Sequence, residues 1–328
     1  MNLKRLLAFA AVAVTLFAGS SAADGASKPF QPTITQVGRD VATAVTKKSP
    51  PNLNATIPPI VELSGPGNGT INGIKAECYP QTPGSVPSTV PSNPTVECAF
   101  GDLKASRMIF IFGDSQSAMW LPALVPAATA LKWRVVFLAH TGCPPWPGMD
   151  STDGNGDSEA GCLTWVEGEI AYAEKAKPAV VMPIGQEGFY GKGLYPPLRR
   201  IESEQATLAK DLPSSRLVFV TPFPSYHTSV TTWTPTHCLI SGEDIRQCEF
   251  SPAQLVDQKL LASYPVTAKR FKGRVVDITK LFCTSAKCAL FVSDHGNRLI
   301  YLDQQHANRY YTAFIAGAFE QLLKPALP

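Results

Sequence analysis

The chain has 328 residues and a formal net charge of +3, with 29 Lys and Arg against 26 Asp and Glu. It contains no long basic run, so a nucleic-acid-binding protein is not indicated. A hydrophobic fraction of 45% with 17% charged residues is typical of a globular domain that buries one sizeable core.

The N-terminus has the form of a secretory signal peptide. Lys4 and Arg5 supply the charged start, an apolar run covers 6–18, and the small residues at 20–22 resemble a cleavage site. The apolar run is shorter than the roughly 20 residues that a helix needs to cross a bilayer. We therefore expect 1–22 to be a signal peptide on a secreted, periplasmic or cell-envelope protein, with an uncleaved anchor as the alternative.

The next segment, 23–75, is rich in Pro, Thr, Asn and Gly. This composition predicts an arm or linker that does not contribute to a core. We expect the remaining residues, 76–328, to form a single domain.

Beyond residue 99, short apolar runs alternate with longer segments of helical character. The predicted strands are 107–112, 134–139, 179–184, 216–221 and 274–278. The predicted helices are 118–131, 163–175, 201–212, 253–271 and 308–323. This alternation predicts an α/β fold with a central parallel sheet of about five strands, covered on both faces. In such sheets, ligands bind beyond the carboxyl ends of the strands.

Eight cysteines suit an exported protein, because an even number in an oxidising compartment indicates disulfides. They stand as four pairs of sequence neighbours, and we predict that each pair is bonded. The pairs are Cys78–Cys98, Cys143–Cys162, Cys238–Cys248 and Cys283–Cys288. The alternative is a zinc site, for which His237 beside Cys238 is the one indication.

Three residues have the types and chain order of a hydroxyl nucleophile, an orienting acid and a base. Ser115 follows the first predicted strand and Gly113, while Asp303 and His306 stand three residues apart before the last predicted helix. A serine needs a base to take its proton and an acid to fix the tautomer of that base. Asp-Ser is also a common helix N-cap, and His295 beside Asp294 is an alternative base.

The combination of Gly-Asp-Ser after a strand and Asp-x-x-His before the last helix resembles the SGNH (GDSL-like) hydrolase superfamily. Several further motifs resemble the periplasmic SGNH domains of bacterial polysaccharide O-acyltransferases. These motifs are Cys-Ala-Phe-Gly-Asp at 98–102, Gly-Asp-Ser-Gln-Ser-Ala-Met-Trp-Leu-Pro-Ala-Leu at 113–124, Thr-Gly-Cys-Pro-Pro at 141–145, and Leu-Phe-Cys at 281–283 followed by Cys288. The resemblance covers about 98–323 and implies a three-layer SGNH-like sandwich.

The resemblance also implies a role for each site residue. Ser115 would be the nucleophile, His306 the general base and Asp303 its orienting partner. The oxyanion hole would use the backbone N–H groups of Ser115 and Gly142. Where the superfamily has a third donor, an asparagine, this chain has Gln186, whose side-chain amide is the same type of donor.

Other polar and aromatic residues near the predicted strand ends are candidates for substrate binding, although each has an ordinary structural role as the alternative. Trp120 and Trp146 could stack on sugar faces, and His140 could line the site. The acidic stretch 150–157 resembles a calcium loop in composition but lacks the EF-hand glutamate at its twelfth position. We expect neither a metal nor a cofactor.

The sequence therefore predicts an exported serine-dependent O-acyl esterase or O-acyltransferase. The resemblance implies acetyl as the acyl group and envelope or extracellular glycans as substrates. Hydrolysis and transfer are not separated, because one triad serves both. A transferase would require a separate membrane acyltransferase as acyl donor. The alternative is a non-catalytic glycan-binding or scaffold protein that keeps the fold. The oligomeric state is not indicated.

Overall fold

The structure, a computed structural model, describes residues 30–58, 74–80, 89–148, 161–185, 198–226, 234–241, 244–293 and 296–328. Its centre is a sheet of six strands in the order β1-β3-β2-β4-β5-β6. These strands are β1 (Ala99–Gly101), β2 (Met108–Gly113), β3 (Arg134–Ala139), β4 (Val180–Ile184), β5 (Arg216–Val220) and β6 (Arg274–Val276). A separate antiparallel pair consists of β7 (Phe291–Val292) and β8 (Arg298–Leu299).

The five predicted strands correspond to β2 through β6, and these five pair with one another in parallel. The residues of β2 to β5 are almost all buried, which explains why these strands read as continuous apolar runs. The prediction missed β1, which lies antiparallel to β3 at the edge of the sheet. Three half-buried residues are too few to show a strand pattern in the sequence.

Helices cover both faces of the sheet. The first part of the chain contains α1 (Ile34–Ala44), α2 (Pro94–Glu97), α3 (Ser115–Met119), α4 (Leu121–Ala130), α5 (Cys162–Ala176) and α6 (Leu198–Asp211). The second part contains α7 (Pro235–Ile240), α8 (Pro252–Leu255), α9 (Gln258–Arg270), α10 (Arg309–Phe314) and α11 (Ala316–Leu323). One hydrophobic core packs α1, α4, α10 and α11 against one face, and a second core packs α5, α6 and α9 against the other. The predicted three-layer sandwich is confirmed.

Helix α1 corrects the prediction that 23–75 is an arm outside the core. Val37, Val41 and Ala44 are fully buried in the larger core, in contact with the C-terminal helices. Thr33 and Gln36 close the start of the helix with a capping box, in which Thr33 N–H donates to Gln36 Oε1 at 2.7 Å. The composition of 23–75 taken as a whole is that of a linker, and it hides this short apolar stripe. Residues 59–73 lie outside the described part.

Four disulfides join the same four pairs of neighbours that the sequence predicts. The Cys78–Cys98 pair lies along β3, because the carbonyl oxygens of both cysteines accept hydrogen bonds from that strand at 3.0 Å. The Cys143–Cys162 disulfide ties the turn after β3 to the first residue of α5. Two of the four bonds therefore fix the chain around the carboxyl ends of β2 and β3.

Candidate active site

The carboxyl ends of the parallel strands lie together at one end of the sheet, which we call the rim. At the rim, β2 ends in Gly113, whose φ of +132° is in the left-handed region. A Cβ atom at this position would lie 2.0 Å from the carbonyl oxygen of Ile184, at the end of β4. Only glycine lets the two strand ends approach this closely, and the chain then turns directly into α3.

Asp114 and Ser115 have different partners at this turn. Asp114 is the N-cap of α3, because its Oδ1 accepts a hydrogen bond from Gln116 N–H at 2.7 Å. The ordinary N-cap interpretation is therefore right for Asp114. Ser115 is the first residue of the helix, and its hydroxyl is not used in capping.

The segment that carries Asp303 and His306 forms a tight turn before α10. Asp303 Oδ1 accepts hydrogen bonds from the backbone N–H groups of Gln305 at 2.6 Å and His306 at 2.8 Å. Leu302 N–H donates to the carbonyl oxygen of His306 at 2.8 Å, which closes the turn. The other carboxylate oxygen, Oδ2, lies 2.8 Å from His306 Nδ1.

The turn and the start of α3 meet at the rim. His306 Nε2 lies 2.7 Å from Ser115 Oγ, across 191 residues of sequence. Beside this contact, Gln116 Nε2 donates to the carbonyl oxygen of Gln305 at 3.0 Å. From the other side, Tyr226 N–H donates to the carbonyl oxygen of Gln304 at 2.8 Å. These two hydrogen bonds hold the backbone of the turn at Gln304 and Gln305, and so help to fix the position from which His306 faces the serine.

The charges around His306 and Asp303 shift both pKa values. Burial lowers the pKa of His306, but the hydrogen bond and charge of Asp303 and the charge of buried Asp114 raise it, so that the net pKa is raised. Burial raises the pKa of Asp303, but its hydrogen bonds with His306 and the backbone outweigh this effect and lower it. Asp303 is therefore ionised at neutral pH, and the imidazole beside it is a stronger base than a free histidine.

Gly142 lies in the turn that follows β3, on the same rim as Ser115. Its φ of +82° is in the left-handed region, which favours glycine. The turn is closed by a hydrogen bond from Cys143 N–H to the carbonyl oxygen of His140 at 3.1 Å. Thr141 Oγ1 donates to the Tyr79 hydroxyl at 3.2 Å, and burial raises the pKa of Tyr79 to about 12, which keeps this phenol neutral. The third predicted oxyanion donor, Gln186, lies outside the described residues.

The three residues predicted to contact substrate are buried, and this corrects the prediction. Trp120 is 1% exposed and stacks on Phe319 with ring centroids 5.3 Å apart. Trp146 is fully buried in the core between the sheet and α5 and α6. His140 is fully buried as well, and its Nδ1 lies 2.8 Å from the carbonyl oxygen of Thr141. None of these side chains has a surface on which a sugar could stack.

The candidate metal ligands give no site in the described part of the chain. The described residues contain no group of three or more His, Cys, Asp and Glu side chains that could hold a metal ion. Cys238 is bonded to Cys248 and so offers no thiolate to zinc, which corrects the zinc alternative. The acidic stretch 150–157 and His295 lie outside the described residues.

Two polar residues have roles at this site that were not recognised from the sequence. Asp114 places a second negative charge near His306, and Gln116 connects α3 to the turn that carries the histidine. Asp114 was recognised only as a candidate helix N-cap, and its distance from His306 in the sequence gave no sign of the charge that it places there. The contact of Gln116 is with a backbone carbonyl distant in sequence, and no local pattern indicates it.

A comparison with protein families matches 77–321 to the family described as "SGNH domain (fused to AT3 domains)". The comparison with curated proteins finds no match. Among solved structures, the chain is similar to the periplasmic domain of a lipopolysaccharide acetyltransferase from Salmonella ser. Paratyphi A. The two are 14% identical with a TM-score of 0.54, and the match covers 83% of this chain and 100% of that chain.

Two carbohydrate esterases of family 2 also match. The enzyme from Corynascus thermopiles (Myceliophthora fergusii) is 15% identical with a TM-score of 0.39, and the match covers 67% of this chain and 66% of that chain. The enzyme from Cellvibrio japonicus is 14% identical with a TM-score of 0.38, and the match covers 68% of this chain and 62% of that chain.

Within the described residues, no helix has the length and apolar character needed to cross a membrane.

Proposed function

Because the chain belongs to the SGNH domain family, we propose that it is a serine-dependent enzyme that hydrolyses or transfers O-acyl groups on glycans, with acetyl as the acyl group. The single observation that carries this proposal is the chain of hydrogen bonds from Asp303 through His306 to Ser115, with distances of 2.8 Å and 2.7 Å. This is the arrangement by which a serine hydroxyl becomes a nucleophile.

The first half of the proposed reaction forms an acyl-serine. Ser115 Oγ attacks the carbonyl carbon of the acyl ester while His306 Nε2 takes the hydroxyl proton. The backbone N–H groups of Ser115 and Gly142, with the side-chain amide of Gln186, stabilise the oxyanion of the tetrahedral intermediate. When the intermediate collapses, the C–O bond to the leaving alcohol breaks, and His306 donates its proton to that alcohol.

The second half transfers the acyl group to an acceptor hydroxyl. His306 removes a proton from water or from a sugar hydroxyl, and the resulting oxygen nucleophile attacks the acyl-serine. Collapse of the second tetrahedral intermediate releases Ser115, which recovers the proton from His306. With water as acceptor the enzyme is an esterase, and with a sugar it is an O-acyltransferase. Throughout, Asp303 stabilises the imidazolium by its negative charge.

The comparisons support the choice of substrate and location. The similar periplasmic domain belongs to a lipopolysaccharide acetyltransferase, and the family description names fusion to AT3 domains. We infer that this chain acts outside the cytoplasm after export by the signal peptide at 1–22. We also infer that a separate membrane acyltransferase supplies the acyl group when the reaction is a transfer. The four disulfides are consistent with an oxidising compartment.

The experiment that tests this function measures release of p-nitrophenol from p-nitrophenyl acetate by the oxidised protein, with and without an acceptor oligosaccharide. We expect turnover above the protein-free rate, with acetylated sugar among the products if the enzyme is a transferase. A folded protein that neither turns over the ester nor becomes acylated in membranes containing an acyltransferase would contradict the proposal. Glycan binding that persists in Ser115→Ala, without turnover by the parent, would favour the non-catalytic alternative.

A further inference from the structure

Positive charge is concentrated at the end of the sheet opposite the rim, where the parallel strands begin. Five segments of the chain meet there, at the starts of the parallel strands: 102–107, 131–134, 174–177, 210–216 and 269–274. We call these five segments the basic edge. They contain twelve of the 29 Lys and Arg but only three of the 26 Asp and Glu. The rest of the chain is therefore net acidic, and the molecule has a strongly basic side.

The topology of the sheet brings these segments together. Each of them leads into one of the five parallel strands, and each strand starts within two residues of its neighbour in register. Met108 at the start of β2 pairs with Arg134 at the start of β3, and Val218, two residues into β5, pairs with Arg274 at the start of β6. Five neighbouring strands spaced about 4.8 Å apart spread the charge over roughly 20 Å. The six residues of β2 separate the basic edge from the rim by about 20 Å. The positive charge therefore lies far from Ser115.

The cations of the basic edge are available to a partner. Ten of the twelve Lys and Arg are exposed and the other two are partly buried. In the part of the chain that the structure describes, none of the twelve forms an ion pair. Arg107 lies over the Trp133 ring at 4.5 Å and Arg270 over the Phe271 ring at 5.2 Å, contacts that hold the guanidinium groups at the surface without neutralising them.

Three lysines of the basic edge occupy backbone positions that do not favour lysine. Lys132, Lys177 and Lys272 follow the ends of α4, α5 and α9 with φ values of 60°, 49° and 56°. Glycine is the usual residue at such helix ends because it has no Cβ, and asparagine is tolerated there because its short polar side chain can hydrogen-bond locally. The helix dipole favours a cation near the C-terminal end of a helix, but it does not account for Arg134, Arg216 and Arg274, which begin strands.

We propose that the basic edge binds an anionic lipid surface, so that the rim with Ser115 faces away from the bilayer. The charge is distributed along an edge and is not gathered around one cavity, which matches the extended charge of a layer of acidic headgroups better than one small anion. The net acidic remainder of the chain is repelled by the same surface, so the two effects favour one orientation. This inference does not depend on the proposed catalytic function.

The test measures co-sedimentation of the oxidised protein with phosphatidylcholine vesicles, with and without phosphatidylglycerol. We expect binding only to the anionic vesicles, weakened by added salt. The triple variant Lys132→Asn, Lys177→Asn, Lys272→Asn removes three charges while placing a residue that tolerates this backbone. Each cation contributes about five-fold to partitioning near an anionic surface, so we expect a loss on the order of 100-fold.

The matched control is the triple variant Lys47→Asn, Lys48→Asn, Lys280→Asn, which removes the same charge from exposed lysines outside the basic edge. We expect it to bind anionic vesicles within a few-fold of the parent. Equal losses in the two triple variants, or no preference of the parent for anionic over neutral vesicles, would overturn the proposal. So would tighter binding to a soluble acidic polysaccharide than to the vesicles, which would assign the basic edge to a glycan. Esterase activity should be unchanged in both variants, whatever the result for vesicles.

Discussion

Replacing Ser115 with alanine is expected to lower kcat for p-nitrophenyl acetate by a factor on the order of 10⁴ or more, to near the protein-free rate. The hydroxyl lies 2.7 Å from His306 Nε2, and no acyl-serine can form without it. The same variant should unfold at the temperature of the parent, because Ser115 Oγ does not cap the helix. Its hydrogen bond with His306 Nε2 can be replaced by one to water. Initial rates and thermal unfolding, measured on both proteins, test this.

Ser117 offers a matched control on the same short helix. It is fully buried, and its hydroxyl donates to the carbonyl oxygen of Asp114 at 2.6 Å, so it has no path to a substrate. Ser117→Ala should cost about 1 kcal/mol of stability through the lost hydrogen bond and keep activity within a few-fold of the parent. Retention of more than a tenth of the activity in Ser115→Ala would show that another group is the nucleophile.

The second large effect is expected for Asp303→Asn, which should lower kcat/KM by about 10³ to 10⁴. The amide oxygen can still accept the backbone hydrogen bonds that Asp303 Oδ1 accepts, so the turn should persist. The amide NH₂ would then face His306 Nδ1 and favour the tautomer that carries its proton on Nε2. In that tautomer the imidazole cannot accept the proton of Ser115, and catalysis fails although the geometry is kept.

The pH dependence of kcat/KM gives this variant a second readout. In the parent, the raised pKa of His306 means that the base is protonated and inactive at low pH, and activity rises with pH through a midpoint above the ordinary value of about 6.5. Without the charge of Asp303, burial becomes the dominant influence and should move this midpoint to lower pH. Asp257→Asn is the control, because Asp257 also accepts two backbone N–H groups, at the start of α9. A similar midpoint in the parent and in both variants would exclude Asp303 as the partner of the base.

The fold was largely predictable because its central strands are buried on both sides. Such strands appear as apolar runs, and β2 through β6 were found within one or two residues at each end. The antiparallel β1 and the helix α1 were missed for different reasons. The first is too short to show a pattern, and the second lies in a segment whose composition, taken as a whole, resembles a linker.

At the site, the sequence predicted residue types and chain order, and the structure brings Ser115, Asp303 and His306 together. Their roles remain predictions that the experiments above test. The substrate-binding prediction failed for Trp120, Trp146 and His140, because the presence of an aromatic ring near a strand end does not indicate whether it points into the core or into solvent. Whether such a side chain is buried depends on tertiary packing, to which residues distant in sequence contribute, as Phe319 does by stacking on Trp120.

The most direct test of the central claim is to detect the acyl-serine itself. The oxidised protein is mixed with p-nitrophenyl acetate, quenched in acid within the first turnovers, and digested for peptide mapping by mass spectrometry. We expect one acetyl group on the peptide that contains Ser115, and none on the corresponding peptide of Ser115→Ala. Turnover of the ester with no acetyl group on Ser115, or with the acetyl group on a different residue, would contradict it.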